Sequence, residues 1–214
     1  MTVPAAESRS PLNREVDGMS RWFPAGCLVW LLISSVMVTD VVADDAARVL
    51  FGFADADSAN AWKTVKDGVM GGVSKGEFRI TERGTMEFFG TLSLERNGGF
   101  ASVRSKASQL GLKTGDSIVA KIKGDGREYS LNLYLNRRLI ALSYRAMVQT
   151  KKDEWVEVTV PVEAFQATSF GRPLTNAAPV TAREINAIGF KLSDKQPGPF
   201  LLEIEAIKIL SRAP

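Results

Sequence analysis

Alternation of apolar and polar side chains constrains the fold of this chain more than any other feature. From residue 49 onward it recurs in short stretches, most clearly at 86–94, 118–123, 129–136, 140–148 and 156–162. Successive side chains of a β-strand point to opposite faces, so such a stretch is typical of a strand with one buried face. Turn signals separate the stretches, and helical patterns are scarce. The sequence therefore predicts roughly eight to ten strands in an all-β, antiparallel sandwich or jelly roll.

Two further stretches refine the predicted strands. The last apolar run, 200–210, changes its buried parity near Ala206. An extra residue in one strand would restore the apolar set to the core, so we expect a β-bulge there. The stretch 166–180 is polar and rich in turn formers, and it is predicted to be a long loop.

The helical signals are short and few. One covers 57–62, with Asp57 or Ser58 as the N-cap residue. The other covers 181–186, where Thr181 is followed three residues later by Glu184, the pattern of a capping box. One or two short helices are therefore expected beside the strands.

The missing residue types exclude several classes of function. The chain has no histidine and a single cysteine, Cys27. Catalysis by Ser-His-Asp or Cys-His arrangements and histidine-ligated metal sites are therefore excluded. The net charge of +3 is spread along the chain, without the basic patch of a nucleic-acid-binding protein. With no convincing carboxylate pair either, we predict a protein that is not an enzyme, has no catalytic residues, cofactor or metal, and binds no nucleic acid.

The N-terminal region carries a pattern of export. An apolar run at 26–38 is too short for a typical membrane-spanning helix of about 20 residues. Val41 and Ala43 follow it as a small-residue cleavage site. We predict a signal peptide region at 1–43, with Met19 as an alternative start, and a single domain at 44–214. The mature protein would be periplasmic or extracellular; the alternative is a membrane anchor at 26–42 that is not cleaved.

A glycine-rich stretch, DGVMGGVS at 67–74, invites a phosphate-binding interpretation and does not support it. It lacks the GxxxxGK[ST] and GxGxxG patterns, and an alternating, strand-like stretch follows it. We expect instead a tight, glycine-dependent bend in which Asp67 accepts backbone N–H bonds and Met70 packs inward. A second glycine pair, Gly98 and Gly99, is predicted to form a hairpin turn.

These motifs and their neighbours resemble one known family. The segments that carry the resemblance are WKTVKDGVMGGVSKG at 62–76, FFGTLSLERNGGFASVRSK at 88–106, GDGREYSLNLYL at 124–135, WVEVTVPVEAF at 155–165 and INAIGFKLSDKQPGPFLLEIEAIKI at 185–209. In this order they resemble the complex I intermediate-associated protein 30 family over about residues 50–210. The resemblance implies a galactose-binding-like β-sandwich and a chaperone role in assembling respiratory complex I. Its peripheral arm is built on the cytoplasmic or matrix side, so an exported chain points to another protein partner.

The family-matching polar residues are the first candidates for a site. They are Asp67, Ser74, Asn97, Arg104, Asp125 and Arg127. Arg104 is expected to pair with Asp67 and so to lock two loops together. Asp125 is interpreted as a turn residue, with a calcium ligand as the alternative.

A second candidate is an outward row on one strand. Asn132, Tyr134 and Asn136 alternate with leucines, and Trp155 follows in a later strand. Amides beside aromatic rings on a sheet can hold a sugar by stacking and hydrogen bonding. The alternative is a solvated sheet face, with Trp155 in a structural role.

Two functions follow from these observations. The first is a non-catalytic binding or chaperone-like module that acts by protein–protein contact, with respiratory complex I subunits as the partners that the resemblance implies. The alternative is a carbohydrate-binding module that uses a sheet face or a loop rim.

Overall fold

The alternating stretches fold as β-strands, because only one face of each can be buried against a neighbouring layer. The structure is a computed structural model that describes residues 47–67, 71–135 and 142–211. The described strands are β1 Ala47–Gly52, β2 Trp62–Lys66, β3 Lys75–Ile80, β4 Met86–Leu92, β5 Ala101–Ser105, β6 Ser117–Gly124, β7 Glu128–Leu135, β8 Leu142–Gln149, β9 Trp155–Pro161, β10 Gln166–Ser169, β11 Arg172–Pro173, β12 Ile185–Leu192 and β13 Gly198–Leu210. The predicted signal peptide region and Met70 lie outside the described residues.

These strands form two antiparallel sheets. The six-stranded sheet has the order β3-β4-β13-β6-β9, and β1 pairs with the remaining part of β13. The seven-stranded sheet has the order β11-β10-β8-β7-β12-β5-β2. Sequence neighbours such as β4 and β5 belong to different sheets, so the chain crosses repeatedly between the two layers. The prediction of an all-β, antiparallel sandwich of the galactose-binding-like, jelly-roll type is confirmed.

The core lies between the inner faces of the two sheets. Its fully buried side chains include Phe88 and Met86 of the six-stranded sheet and Leu131 and Phe190 of the seven-stranded sheet. Burying one such side chain stabilises the fold by about 1.5–3 kcal/mol. At one edge Trp62 of β2 closes the sandwich, since its ring packs 5.0 Å, centroid to centroid, from that of Phe51 in β1.

The β-bulge predicted near Ala206 is confirmed. The pairing of β13 with β6 shifts register between Ile204 and Ala206. Ile204 and Ile207 are both fully buried although they have opposite parity. The extra residue thus turns the second half of β13 so that its isoleucines also reach the core.

The helical predictions are right in place and wrong in detail. Both elements are short 3₁₀ helices, Ala56–Ala61 and Ala182–Glu184. The first is capped by Asp55, whose carboxylate accepts from the Asp57 N–H, because only Asp55 has the extended backbone of an N-cap residue. The second follows Thr181, whose side chain makes no capping hydrogen bond, so the capping box does not form.

One loop prediction is wrong, and a second is right only for 174–180, which contains neither strand nor helix. Gly98 and Gly99 do not form a hairpin turn, since β4 and β5 lie in different sheets and the glycines carry the chain between them. The stretch 166–180 contains β10 and β11. β10 lies between β11 and β8 and pairs with β8 through the backbone, and a hydrogen bond of 3.0 Å between the Thr168 and Ser143 hydroxyls adds to this pairing. Neither outcome is visible in local sequence.

Candidate functional site

Asp67 is the centre of the glycine-rich motif. Its carboxylate is fully buried and accepts hydrogen bonds from the Ser74 hydroxyl at 2.5 Å, the Ser74 N–H at 3.1 Å and the Gly99 N–H at 2.8 Å. A longer bond comes from the Phe100 N–H at 3.4 Å. Burial raises the pKa of Asp67, but the bonds from Ser74, Gly99 and Phe100 outweigh it and hold the pKa below its ordinary value. One carboxylate therefore joins the segment after β2 to the segment before β5.

The glycines of both motifs make room for this carboxylate. A Cβ on Gly72 would lie 2.3 Å from the Asp67 Cγ, and a Cβ on Gly98 would lie 2.8 Å from Asp67 Oδ2. Neither distance is compatible with a side chain. The two motifs are thus one structural unit around Asp67. Asn97 ends the short helix Glu95–Asn97 that leads into Gly98.

Arg104 does not pair with Asp67, and that prediction is wrong. Alternation along β5 points Val103 into the core and Arg104 to the opposite, outer face of the seven-stranded sheet. There the guanidinium carbon lies 3.4 Å from the centroid of the Tyr134 ring. The acceptor that would have needed an arginine, Asp67, is instead satisfied by a hydroxyl and by backbone N–H groups.

Asp125 and Arg127 hold the turn between β12 and β13. Arg127 forms a fork with Asp194, with Nε–Oδ2 at 2.9 Å and Nη2–Oδ1 at 2.7 Å, and also donates to the carbonyl of Gln196. Asp125 accepts from the Leu201 N–H at 3.0 Å. Burial raises the pKa of Asp194, but the bond from Arg127 outweighs it and lowers that pKa. These contacts give both residues a structural role.

Trp155 does not join the outward row of β7. It lies in β9 of the six-stranded sheet, whereas Asn132 and Tyr134 lie in β7 of the other sheet. The Trp155 ring is flanked by Lys123 Nζ at 5.0 Å and Lys121 Nζ at 5.7 Å. A site that combines Trp155 with Asn132 and Tyr134 is therefore ruled out. Asn136 lies outside the described residues.

The outer face of the seven-stranded sheet instead carries a cavity of about 570 Å³, here called the outer-face pocket. A volume of this size is typical of small-molecule or side-chain binding sites. Its walls come from six strands of this sheet, β2, β5, β7, β8, β10 and β12. The residues that line it are Val65, Phe100, Ser102, Arg104, Ser130, Asn132, Tyr134, Leu135, Leu142, Ser143, Arg145, Thr168, Phe170, Gly171, Lys191 and Ser193.

Strand register explains how the pocket is assembled. Asn132 of β7 pairs with Arg145 of β8 on one side and with Gly189 of β12 on the other. Gly189 in turn pairs with Arg104 of β5. Because Gly189 has no side chain, nothing in this row separates Arg104 from Asn132. In the adjacent row Lys191 lies between Ser102 and Ser130.

Three cations meet in the pocket, and none of its described lining residues is acidic. Arg145 donates through Nη1 to the Gly171 carbonyl at 3.2 Å. Lys191 Nζ lies 4.8 Å from the Phe100 ring centroid. Burial, and then the charges of Arg145 and Arg104, lower the pKa of Lys191. Burial also raises the pKa of Tyr134, against the opposing charge of Arg104, so this phenol stays neutral.

An exposed aromatic ring forms part of the pocket rim. Phe170 is 84% exposed, the largest exposed fraction among the large apolar side chains of the described residues. It sits with Gly171 in the two-residue turn between β10 and β11, and both have positive φ, 48° and 78°. This is the geometry of a type I′ turn, which favours Asn-Gly rather than an aromatic residue.

Sequence reasoning found part of this pocket. Asn132, Tyr134 and Arg104 were candidates, but they were not expected together. Arg145, Lys191 and Phe170 were missed. The available signal was that Arg145 and Lys191 each interrupt an otherwise weakly charged alternating strand, in SYRAMV and GFKLS, on the outward parity.

Two other kinds of site are not found in the part of the chain that the structure describes. No group of three or more acidic, cysteine or histidine side chains is placed to hold a metal ion there, around Asp125 included. Nor is any helix in these residues long and apolar enough to cross a membrane.

The sequence as a whole matches a family model. The model described as Complex I intermediate-associated protein 30 covers residues 51–204, well over half of the chain and nearly all the residues described above. The chain belongs to this family. Both arms of the Asp67 unit and all the described lining of the outer-face pocket fall within the matched range.

Curated relatives carry the family's name. The mouse protein "Complex I intermediate-associated protein 30, mitochondrial" is 26% identical over 188 residues, which cover 78% of this chain and 57% of the mouse protein. Its Drosophila melanogaster counterpart is 24% identical over 181 residues, covering 74% and 61% respectively. The chain thus spans about three fifths of the length of these two relatives.

Among solved structures the fold is shared with carbohydrate-binding modules. The family 11 module of the cellulase Lic26A-Cel5E from Clostridium thermocellum superposes with a TM-score of 0.59 at 14% identity, covering 78% of this chain and 95% of the module. The same organism's module in complex with a β-1,3-1,4-mixed-linked tetrasaccharide gives 0.57 at 14% identity, with 77% and 95% coverage. At this identity the likeness establishes the fold alone.

Proposed function

We propose that this family member is a non-catalytic binding module that holds a protein partner at the outer-face pocket, as an assembly or chaperone-like factor. The observation that carries the proposal is a cavity of about 570 Å³, lined by both apolar and cationic side chains, with an 84% exposed phenylalanine on its rim. Aromatic residues that are exposed beside a pocket are typical anchors of protein interfaces. Membership in a family of intermediate-associated proteins supports an assembly role.

The chemistry of the pocket supports binding rather than catalysis. Its described titratable residues are Arg104, Tyr134, Arg145 and Lys191. The Tyr134 pKa is raised, so the phenol is a poor base at neutral pH. Among the residues that the structure describes, no carboxylate pairs with one of these groups to relay a proton. What the pocket offers is a set of hydrogen-bond donors on a rigid sheet.

The location and the partner belong to the same proposal. The family name supports respiratory complex I subunits as partners, whereas the apolar run at 26–38 with Val41 and Ala43 supports export. We favour an exported protein whose partner lies in that compartment. Cell fractionation with an antibody against residues 44–214 distinguishes the two, since a complex I role requires the protein in the cytoplasmic or matrix fraction.

Site-specific photo-cross-linking tests the binding surface. A benzoylphenylalanine in place of Phe170 is expected to form a discrete protein adduct in the native compartment, which mass spectrometry identifies. The same substitution at Trp155 is the matched control, since that ring is 36% exposed and lies on the other sheet. A protein adduct from position 155 and none from position 170 would contradict the proposal.

Carbohydrate binding is the second candidate, and the pocket lining favours it. Asn132, Ser130, Ser143 and Thr168 supply amide and hydroxyl groups, with Tyr134 beside them. Such groups can replace the hydration of sugar hydroxyls. Calorimetric titration with neutral β-glucan oligosaccharides tests it: heat that disappears on Asn132→Ala supports a sugar ligand, and no heat with the folded protein contradicts it.

A further inference from the structure

The charges of the outer-face pocket are unlike those of the rest of the module. On the outer face of the six-stranded sheet several acidic and basic side chains are paired, with Arg79 2.5 Å from Glu87 and Lys123 2.6 Å from Glu203. In the pocket, by contrast, Arg104, Arg145 and Lys191 have no acidic neighbour among the described lining residues. The pocket is therefore positive, whereas the six-stranded sheet places charges of both signs close together.

Part of the donor capacity of the two arginines is unused. The Nε atoms of Arg104 and Arg145 are both shielded from solvent, and neither has a hydrogen-bond partner among the described residues. The Arg104 guanidinium lies over the Tyr134 ring and also hydrogen-bonds the Tyr134 side chain, so Nε is the Arg104 donor that is left for another acceptor. A shielded donor without an acceptor destabilises a fold unless a ligand completes it.

The third cation is held close to the same place. A Cβ built on Gly171 would lie 3.4 Å from Lys191 Nζ, and the Gly171 carbonyl accepts from Arg145 at 3.2 Å. Both charges thus converge on one glycine at the mouth of the pocket. An oxyanion there would contact the ammonium and complete an arginine fork at the same time.

From these contacts we infer that the outer-face pocket binds a carboxylate, carried by an acidic segment of the protein partner. The inference rests on the proposed function and names the chemistry of its ligand. The carboxylate contacts Arg104, Arg145 and Lys191, while a neighbouring apolar residue of the segment packs on Phe170. The exposed ring favours a peptide over an acidic oligosaccharide, because a peptide can place an acidic and an apolar side chain side by side.

Calorimetric titration with defined probes tests the inference. The purified protein is titrated with a short oligo-glutamate peptide that ends in leucine, and with the matched oligo-glutamine peptide. We expect binding of the first and none of the second. Lys191→Met and Arg104→Gln should each weaken binding at least about tenfold, because each removes a charge-assisted hydrogen bond. Added salt should weaken it as well.

Lys121→Gln is the matched control. It removes one positive charge from the six-stranded sheet, where Lys121 lies 2.8 Å from Glu205, and should leave peptide binding unchanged. An equal loss with this variant would show attraction to net charge alone and overturn the inference. The inference would also be overturned if oligo-glutamate did not bind, or if oligogalacturonate bound in its place. A cross-link from position 170 that survives the pocket variants would retain the proposed function and reject the carboxylate.

Discussion

At the scale of single residues, Asp67 shows how a polar side chain can specify a backbone. Four hydrogen bonds from Ser74, Gly99 and Phe100 converge on its buried carboxylate. Asp67→Asn replaces an acceptor oxygen with a donor and leaves backbone N–H groups facing it. We expect a loss of about 2–3 kcal/mol in the free energy of unfolding, measured by urea denaturation at neutral pH. Asp153→Asn, an exposed carboxylate, is the control and should change little.

The pH dependence of this loss follows from the direction of the pKa shift. The pKa of Asp67 in the folded protein lies below its ordinary value of 3.8. Its contribution to stability is therefore complete above pH 3.8 and is lost as the pH falls through the folded value. The difference between the wild type and Asp67→Asn should shrink in that acidic range. A constant difference down to full acid unfolding would contradict the assignment.

Gly72 makes the same unit sensitive to a single methyl group. A Cβ at this position would overlap the Asp67 carboxylate, at 2.3 Å from Cγ. Gly72→Ala should therefore lower the free energy of unfolding by about 2 kcal/mol. Gly52→Ala is the control, since its Cβ would meet only Val49 Cγ1, at 3.8 Å. That control should be neutral or slightly stabilising, because alanine restricts the unfolded chain more than glycine does. Equal losses in the two variants would argue against the packing explanation.

At the scale of elements, the β10–β11 turn combines a poor turn residue with an exposed ring. Phe170 has a φ of 48° at a position where Asn is favoured. Phe170→Asn should raise the free energy of unfolding by about 0.5–1 kcal/mol and abolish the protein contact at this rim. Phe170→Ala separates the two effects, because it removes the ring without improving the turn. If both variants keep partner binding, the ring is not part of the interface.

The strands that sequence predicts best are those with one apolar face. Stretches at 118–123 and 156–162 correspond to β6 and β9, and the bulge near Ala206 follows from parity alone. By contrast, the four residues of β10, QATS, show no apolar alternation, because this strand is held by backbone pairing with β8 and by the hydroxyl bond between Thr168 and Ser143. The glycine pair at 98–99 was misassigned because turn chemistry is local, whereas the sheet to which each strand belongs is decided by distant pairing.

The site was predictable only in pieces, for the same reason. Outward positions such as Tyr134 and Asn132 follow from alternation within one strand. Their meeting with Arg145 and Lys191 depends on the register of β7 with β8 and β12, which brings together residues up to 59 positions apart in the chain (Asn132 and Lys191). The predicted contact between Arg104 and Asp67 failed because the parity of β5 places the arginine outside.

At the scale of the whole molecule, the two outer faces carry different charge arrangements. One face carries charges of both signs and pairs several of them within the sheet, as Lys123 and Glu203 show. The other gathers three cations in a cavity and so holds them at a cost in stability, as binding sites often do. The net charge of +3 does not reveal this difference, because a sum over the chain says nothing about where the charges lie. Stability and ligand binding should therefore respond in opposite directions when a pocket cation is removed.

Lys191→Met tests that opposition, because methionine keeps most of the apolar stem and removes the charge. The folded protein holds the pKa of Lys191 below its ordinary value of 10.5, through burial and through Arg145 and Arg104. Between the lowered pKa and 10.5 the unfolded chain binds more protons, so wild-type stability rises with pH in that window. At neutral pH the variant should therefore have a higher melting temperature than the wild type. The corresponding gain in the free energy of unfolding should be on the order of 1 kcal/mol or less, and it should shrink as the pH approaches 10.5. Oligo-glutamate should raise the melting temperature of the wild type and raise that of the variant less, whereas Lys121→Met, on the other sheet, should show the wild-type shift. A variant that melts lower than the wild type at every pH would mean that Lys191 serves the fold, and the pocket would then lose its strongest mark of a binding site.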